Sequence, residues 1–244
     1  MMVVATFACA LVFVAVHVLT GRLSALSVRR RGMWLSASGG IAVAYVFLEL
    51  LPELTEHNAV LGGASGAGEW LADQIVYLVA LMGLIVFYGL ELAVRTSRRR
   101  QRAATGSDRA GDAVFWVHIA GFGLANLLVG YLLLHREIPG PVSLALYAVA
   151  LGVHLLGNDY GLVQHHKALY EKRARWWLAG AVFTGWITGA LIALPEAAIS
   201  LISAFLAGSV VMNVMKEELP EDRDSDFGAF ALGTLFYAAV ILAA

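Results

Sequence analysis

The sequence predicts an all-α membrane protein of eight transmembrane helices in a 3+2+3 arrangement, with spans one to three and six to eight forming an inverted repeat around spans four and five. Three observations carry that expectation. The chain of 244 residues is 59% hydrophobic and 14% charged, with a mean hydropathy of +0.74, too apolar for a soluble domain of this length. Eight stretches approach the roughly 20 apolar residues that a spanning helix requires. Two of those stretches end in the same residue pattern at a fixed spacing.

In chain order the expected spans cover residues 3–19, 33–54, 74–94, 113–134, 142–163, 176–194, 197–215 and 227–243. The first has no Lys or Arg before it and is followed by Arg22, Arg29, Arg30 and Arg31, the reverse of a cleavable signal peptide, so it is expected to be retained. Basic residues then alternate between loops. Sixteen of the 17 Lys and Arg fall in the loops after spans one, three, five and seven, leaving Arg136 alone on the other side. By the positive-inside rule this places both termini outside the cytoplasm and the chain in the cytoplasmic membrane. Residues 95–112 start basic and become Gly-, Ser- and acid-containing, which reads as a flexible cytoplasmic loop within a single transmembrane domain of residues 1–244. Its charge fits a topogenic role, or attraction to lipid headgroups. The net charge of −1 offers no nucleic-acid surface, and Cys9, the only cysteine, excludes a disulfide framework or a thiolate metal site.

The repeat is read from span two against span seven. Gly40, Val43, Val46, Glu49 and Leu51-Pro52-Glu53 recur as Gly208, Val211, Val214, Glu217 and Leu219-Pro220-Glu221, all 168 residues on. The two spans run in opposite directions, the pattern of an inverted-topology repeat. Gly83 with Phe87-Tyr88 in span three recurs more loosely as Gly233 with Phe236-Tyr237. Glu49 and Glu53, like Glu217 and Glu221, are four apart and share a helix face. They read either as solvated acids at Pro-terminated helix ends or as cation-attracting vestibules at the two mouths.

Inverted repeats enclose a site near the bilayer midplane, here within spans four and five. Span five contains GVHLLGNDYGLVQHH, in which His154 and Asn158 lie one turn apart and Asp159 sits on their shoulder. A carboxylate at that depth costs about 2.5–3.5 kcal/mol on insertion scales. Span four adds Asn126. Imidazole nitrogen with carboxylate and amide oxygens suits a borderline divalent cation; the competing reading is interhelical hydrogen bonding. His118, Thr184 and Thr188 are secondary candidates. His165 and His166 are expected at the interface, as are Trp176 and Trp177.

With these features the chain resembles the ZIP family of divalent-metal transporters over nearly its whole length. The segments SASGGIAVAYVFLELLPEL and ISAFLAGSVVMNVMKEELPE are similar to that family's second and seventh spans. The family's span-four run, His-Asn-x-x-(Asp/Glu)-Gly, is kept here only as Asn126 and Gly130; its span-five run, His-Glu-x-x-Glu, is kept only as His154, with Asn158 in the last position. The resemblance implies a carrier, not an enzyme, that moves a divalent cation by alternating access as the repeat halves rock against the central pair. Zinc is the expected substrate, and no organic cofactor is implied. Expected partners are the metal ion and the lipid bilayer, with a homodimer as the assembly considered and no nucleic acid. The loss of ligands leaves a second reading open, the same fold binding another solute or a partner. A third is an intramembrane metal hydrolase using His118, His154 and Asp159, although a catalytic metal ordinarily takes about three firm protein ligands.

Overall fold

Backbone amides in lipid must be satisfied within the segment that carries them, which leaves helices as the economical solution for a chain this apolar. The computed structural model describes residues 2–21, 28–52, 74–136, 139–166, 168–218 and 226–243, and contains no strand among them. Its helices are α1 (Met2–Leu19), α2 (Val28–Tyr45), α3 (Ile75–Thr105), α4 (Asp112–Leu132), α5 (Pro141–His166), α6 (Arg175–Leu191), α7 (Glu196–Glu218) and α8 (Phe227–Ala243). A π-helical turn, Val46–Leu50, continues α2, and another, Tyr170–Ala174, leads into α6. Among the described residues six helices are long and apolar enough to cross a membrane: α1, α2 with its π turn, α3, α4, α5 and α7. The remaining two, α6 and α8, have 17 residues each.

The basic stretch after span three is ordered differently from the sequence expectation. Helix α3 runs on through Thr105, because Arg, Gln and Ala in RTSRRRQRAAT are strong helix formers. It stops at Gly106, whose φ of +71° gives the left-handed C-cap that a glycine adopts without strain. The chain then folds back on the helix. Arg98 holds Asp108 at 2.9 Å, and the Gly111 amide donates to Ser97 Oγ at 3.0 Å.

The helices lie on two sides of a seam as two groups of four, with α5 touching α2 across it more extensively than it touches α1. In one, α4 and α1 lie against α6 and α1 also touches α5; in the other, α2 lies against α8, α3 against α7 and α2 against α7. The seam between the groups runs chiefly through α2–α5 and α3–α4. Within the second group two contacts are made backbone to backbone at glycines. A Cβ at Gly40 would overlap the Phe230 carbonyl oxygen, and one at Gly233 that of Ala37, fastening α2 to α8. A Cβ at Gly208 would overlap the Ala80 carbonyl oxygen, and one at Gly83 that of Phe205, fastening α7 to α3. Gly40 and Gly208, like Ala37 and Phe205, are 168 residues apart, while Gly83 and Gly233, like Ala80 and Phe230, are 150 apart. One contact is therefore built twice.

The spacing of 150 also corrects a pairing. It matches Phe87 with Tyr237, both buried, whereas Tyr88 and Phe236 are 54% and 66% exposed. The aromatic pairs align one residue away from the Phe-Tyr match read in the sequence. A substitution tests the glycine contact: Gly208→Leu should destabilise the detergent-solubilised protein by about 1–3 kcal/mol, the usual range for overpacking. Gly89→Leu, on the same helix as Gly83 but with no neighbour within 4 Å, should leave the thermal transition in place. Equal transitions for the two variants would mean that the α3–α7 contact is not this close.

Candidate functional site

The deepest polar cluster is built around a residue that sequence reading passed over. His17, fully buried in the last turn of α1, belongs to the buried stripe Thr6, Ala10, Phe13 and His17 that faces the bundle. Its Nδ1 lies 2.7 Å from Asp159 Oδ2 on α5, and its Nε2 lies 2.7 Å from Asn126 Oδ1 on α4. The Asn126 amide nitrogen donates to the Phe122 carbonyl at 2.8 Å, so the amide oxygen is the atom that meets the ring. Both ring nitrogens thus face oxygen acceptors, and which of them carries a proton is set by this network rather than by visible hydrogens.

Local structure holds the cluster in place. Carbonyls in the last turn of a helix have no partner within it, and here the Tyr170 hydroxyl donates to the His17 carbonyl at 3.1 Å while Thr20 Oγ1 donates to that of Val16 at 2.6 Å. Tyr170 stands in the π turn ahead of α6, beside Asp159. Asp159, buried and bonded to His17, therefore has the basic partner that the basic-residue count alone did not supply.

The four expected ligands separate into two pairs. Asn126 and Asp159 converge on His17. His154 and Asn158 bond each other along α5, with Asn158 Nδ2 donating to His154 Nε2 at 2.9 Å, and Asn158 Oδ1 has no partner among the described residues. Both pairings follow from helix geometry: residues four apart share a face, and the next residue is turned about 100° away. Among the described residues no group of three or more His, Cys, Asp or Glu side chains could hold a metal ion together. The cluster at His17 instead offers one imidazole, one carboxylate and one amide oxygen.

A second buried cluster lies on the seam. Glu91 of α3 accepts from Arg95 Nε at 2.9 Å, from Lys216 Nζ of α7 at 3.1 Å, and lies 3.1 Å from His165 Nε2 of α5. Arg98 Nη1 is 2.9 Å from His165 Nδ1. An arginine can only donate, so His165 accepts at Nδ1 and donates from Nε2 to Glu91. His118 of α4 lies here too, with Nδ1 2.9 Å from His166 Nε2 and Nε2 4.0 Å from Glu91 Oε2. His165 and His166, in the last turn of α5, are turned toward neighbouring helices there. His118, His154 and Asp159, the trio weighed for a hydrolase, fall into three separate contacts.

The other candidates are placed elsewhere. Thr188 Oγ1 donates to the Thr184 carbonyl at 2.9 Å on an exposed face, and Thr184 lines an apolar groove between α4 and α6. Glu49 is buried in the π turn after α2, with Oε2 unpartnered among the described residues. Glu53 and Glu221 lie outside the described residues, as does the side chain of Glu217, so the paired vestibules do too.

A signal for the missed residues does exist in the sequence. His17 and Glu91 are lone ionisable residues in strongly apolar spans, and such residues ordinarily mark function or pairing. No protein-family model matches the chain, and no curated protein matches it significantly.

Proposed function

We propose that this chain is a secondary carrier of ZIP-like architecture that moves a divalent cation, with zinc the expected ion, across the cytoplasmic membrane, both termini lying outside the cytoplasm. The observation that carries the reading is the convergence of His17, Asp159 and Asn126 from α1, α5 and α4. That donor set of imidazole, carboxylate and amide oxygen suits a borderline divalent cation. In this reading the ring of His17 holds the place between the two oxygens when no cation is bound. An arriving ion takes Asp159 and Asn126 as oxygen donors and an imidazole nitrogen of His17 once the ring turns. His154 and Asn158 form a separate polar pair.

The glycine contacts made twice at offsets of 168 and 150 support the inverted repeat and, with it, eight spans in a 3+2+3 order. Alternating access is proposed as a rocking of the repeat halves against α4 and α5, with the α2–α5 and α3–α4 contacts as the surfaces that slide. The Glu91 cluster crosses the seam near the basic loops, so it parts when the cytoplasmic side opens.

Uptake of zinc into reconstituted vesicles tests the assignment. His17→Ala and Asp159→Asn should each lower uptake at least tenfold, and His154→Ala combined with Asn158→Ala should leave most of it. The reverse ranking would move the site to His154. A second reading, the same fold without metal transport, is favoured by one observation: both nitrogens of His17 and the amide of Asn126 already have partners. It requires that purified wild-type protein take up no zinc and retain no stoichiometric ion.

A further inference from the structure

The groove between α4 and α6 has no part in the cation pathway proposed above. It measures about 760 Å³ and runs from Trp116, Trp176 and Trp177 at one end to Leu127 and Thr184 at the other. Its floor is bared by Gly123 and Gly180, where an added Cβ would meet nothing within 4 Å. Its apolar, outward-facing walls belong to two helices whose backbones are already locked together deeper in, Gly130 against the Val182 carbonyl and Gly185 against that of Leu127. The groove is therefore a fixed feature of the helix pair.

Its length and its chemistry point to one kind of occupant. From Trp116 to Leu127 is 11 residues of helix, roughly 16 Å at 1.5 Å per residue, about half of a hydrocarbon core of roughly 30 Å. That is the depth of one leaflet. The tryptophan end coincides with a basic turn, Lys172, Arg173 and Arg175, with Lys172 and Arg173 exposed. The Arg175 guanidinium stands 5.0 Å from the Trp176 ring centroid. One of its nitrogens, Nη1, donates to Glu171 at 3.0 Å, the Nε is buried without a partner among the described residues, and the side chain is 29% exposed. The acids at this end are Glu171 and, in the first turn of α4, Asp112.

We propose that this groove binds one anionic phospholipid from the leaflet that the basic loops face, an acyl chain lying over Gly123 and Gly180 and the phosphate meeting Arg175. A second copy of the chain fits less well. Two copies in one membrane in the same orientation place equal residues at equal depth, so a two-fold contact through this groove would gather Lys172, Arg173 and Arg175 of both at one end. A lipid phosphate instead complements them, and a basic side chain near a membrane surface contributes about fivefold in affinity for an anionic lipid.

Native mass spectrometry of the protein from micelles holding equal amounts of phosphatidylglycerol and phosphatidylcholine reads the result directly. Wild type should retain one phosphatidylglycerol per chain. Arg175→Gln should cut the preference over phosphatidylcholine by about fivefold, and Gly123→Leu with Gly180→Leu should remove retention of both lipids while the thermal transition stays in place. Should the double leucine variant not fold, the Arg175→Gln preference decides alone. Wild type that retains no lipid, or both lipids equally, overturns the proposal, as does undiminished retention in the folded leucine variant. A lipid-free dimer that the leucines dissociate overturns it in favour of a second copy.

Discussion

Asp159→Ala should destabilise the protein by about 3–5 kcal/mol, the usual cost of removing one partner from a buried ion pair. Its carboxylate is the acceptor for His17 Nδ1 at 2.7 Å, and neither side chain reaches solvent. Without it, the ring keeps only the Asn126 oxygen, and a proton on Nδ1 is left buried with no acceptor. Against a typical total stability of about 5–15 kcal/mol this is a large fraction, visible as a lowered thermal transition in detergent. Adding His17→Leu should recover most of the loss, since replacing both partners of a buried polar pair by apolar groups is often neutral. In the carrier proposed above, the same double variant should take up no zinc. If His17→Leu fails to recover the transition of Asp159→Ala, the two residues are not the coupled pair described here.

Glu91→Ala is the second large effect. Glu91 is the acceptor shared by Arg95, Lys216 and His165, and the side chains of Glu91 and Lys216 are 7% and 9% exposed. Removing the carboxylate leaves Lys216 without a counter-charge at a nearly closed site, again a cost of about 3–5 kcal/mol. Arg95 is 35% exposed and can turn to solvent, so most of the penalty falls on Lys216. Glu91→Met with Lys216→Met should therefore be much less destabilised than Glu91→Ala. Because the cluster joins α3 and α7 to α5 across the seam, both variants should also show faster labelling of a cysteine placed at His166 by a water-soluble thiol reagent. Unchanged labelling in both variants would show that the cluster does not hold this end closed.

How much of this was legible in the sequence depends on what each residue reports. Hydropathy locates helices well, because a segment in lipid must satisfy its own backbone, and each helix overlaps an expected span. It does not report where a helix ends in polar sequence, so residues 95–105 looked like loop although their helix propensity continues α3. Spacing along one helix was equally readable, and His154 and Asn158 do meet at one turn's separation. Facing residues on different helices were not. Asn126 and Asp159 do lie in one cluster, yet what joins them is a histidine 109 residues from one and 142 from the other, and nothing local to α1 encodes that contact. The π turns were invisible as well, since no residue type in Val46–Leu50 or Tyr170–Ala174 demands them.

The π turn after Tyr45 has a consequence for handedness of function. It takes up one residue more than an α turn, so everything beyond it on α2 is set back in phase by about 100°. Helix α7 carries the matching sequence and continues to Glu218 as α-helix throughout. Glu49 and Glu217 correspond in sequence, 168 residues apart, but the backbone turn at Glu49 is π and that at Glu217 is α. The turn carries Glu49 into the interior, and the repeat loses its symmetry at this one step. A perfectly repeated chain would present identical thresholds to the two sides of a membrane. This one does not, and in the carrier proposed above inward and outward passage would be different journeys.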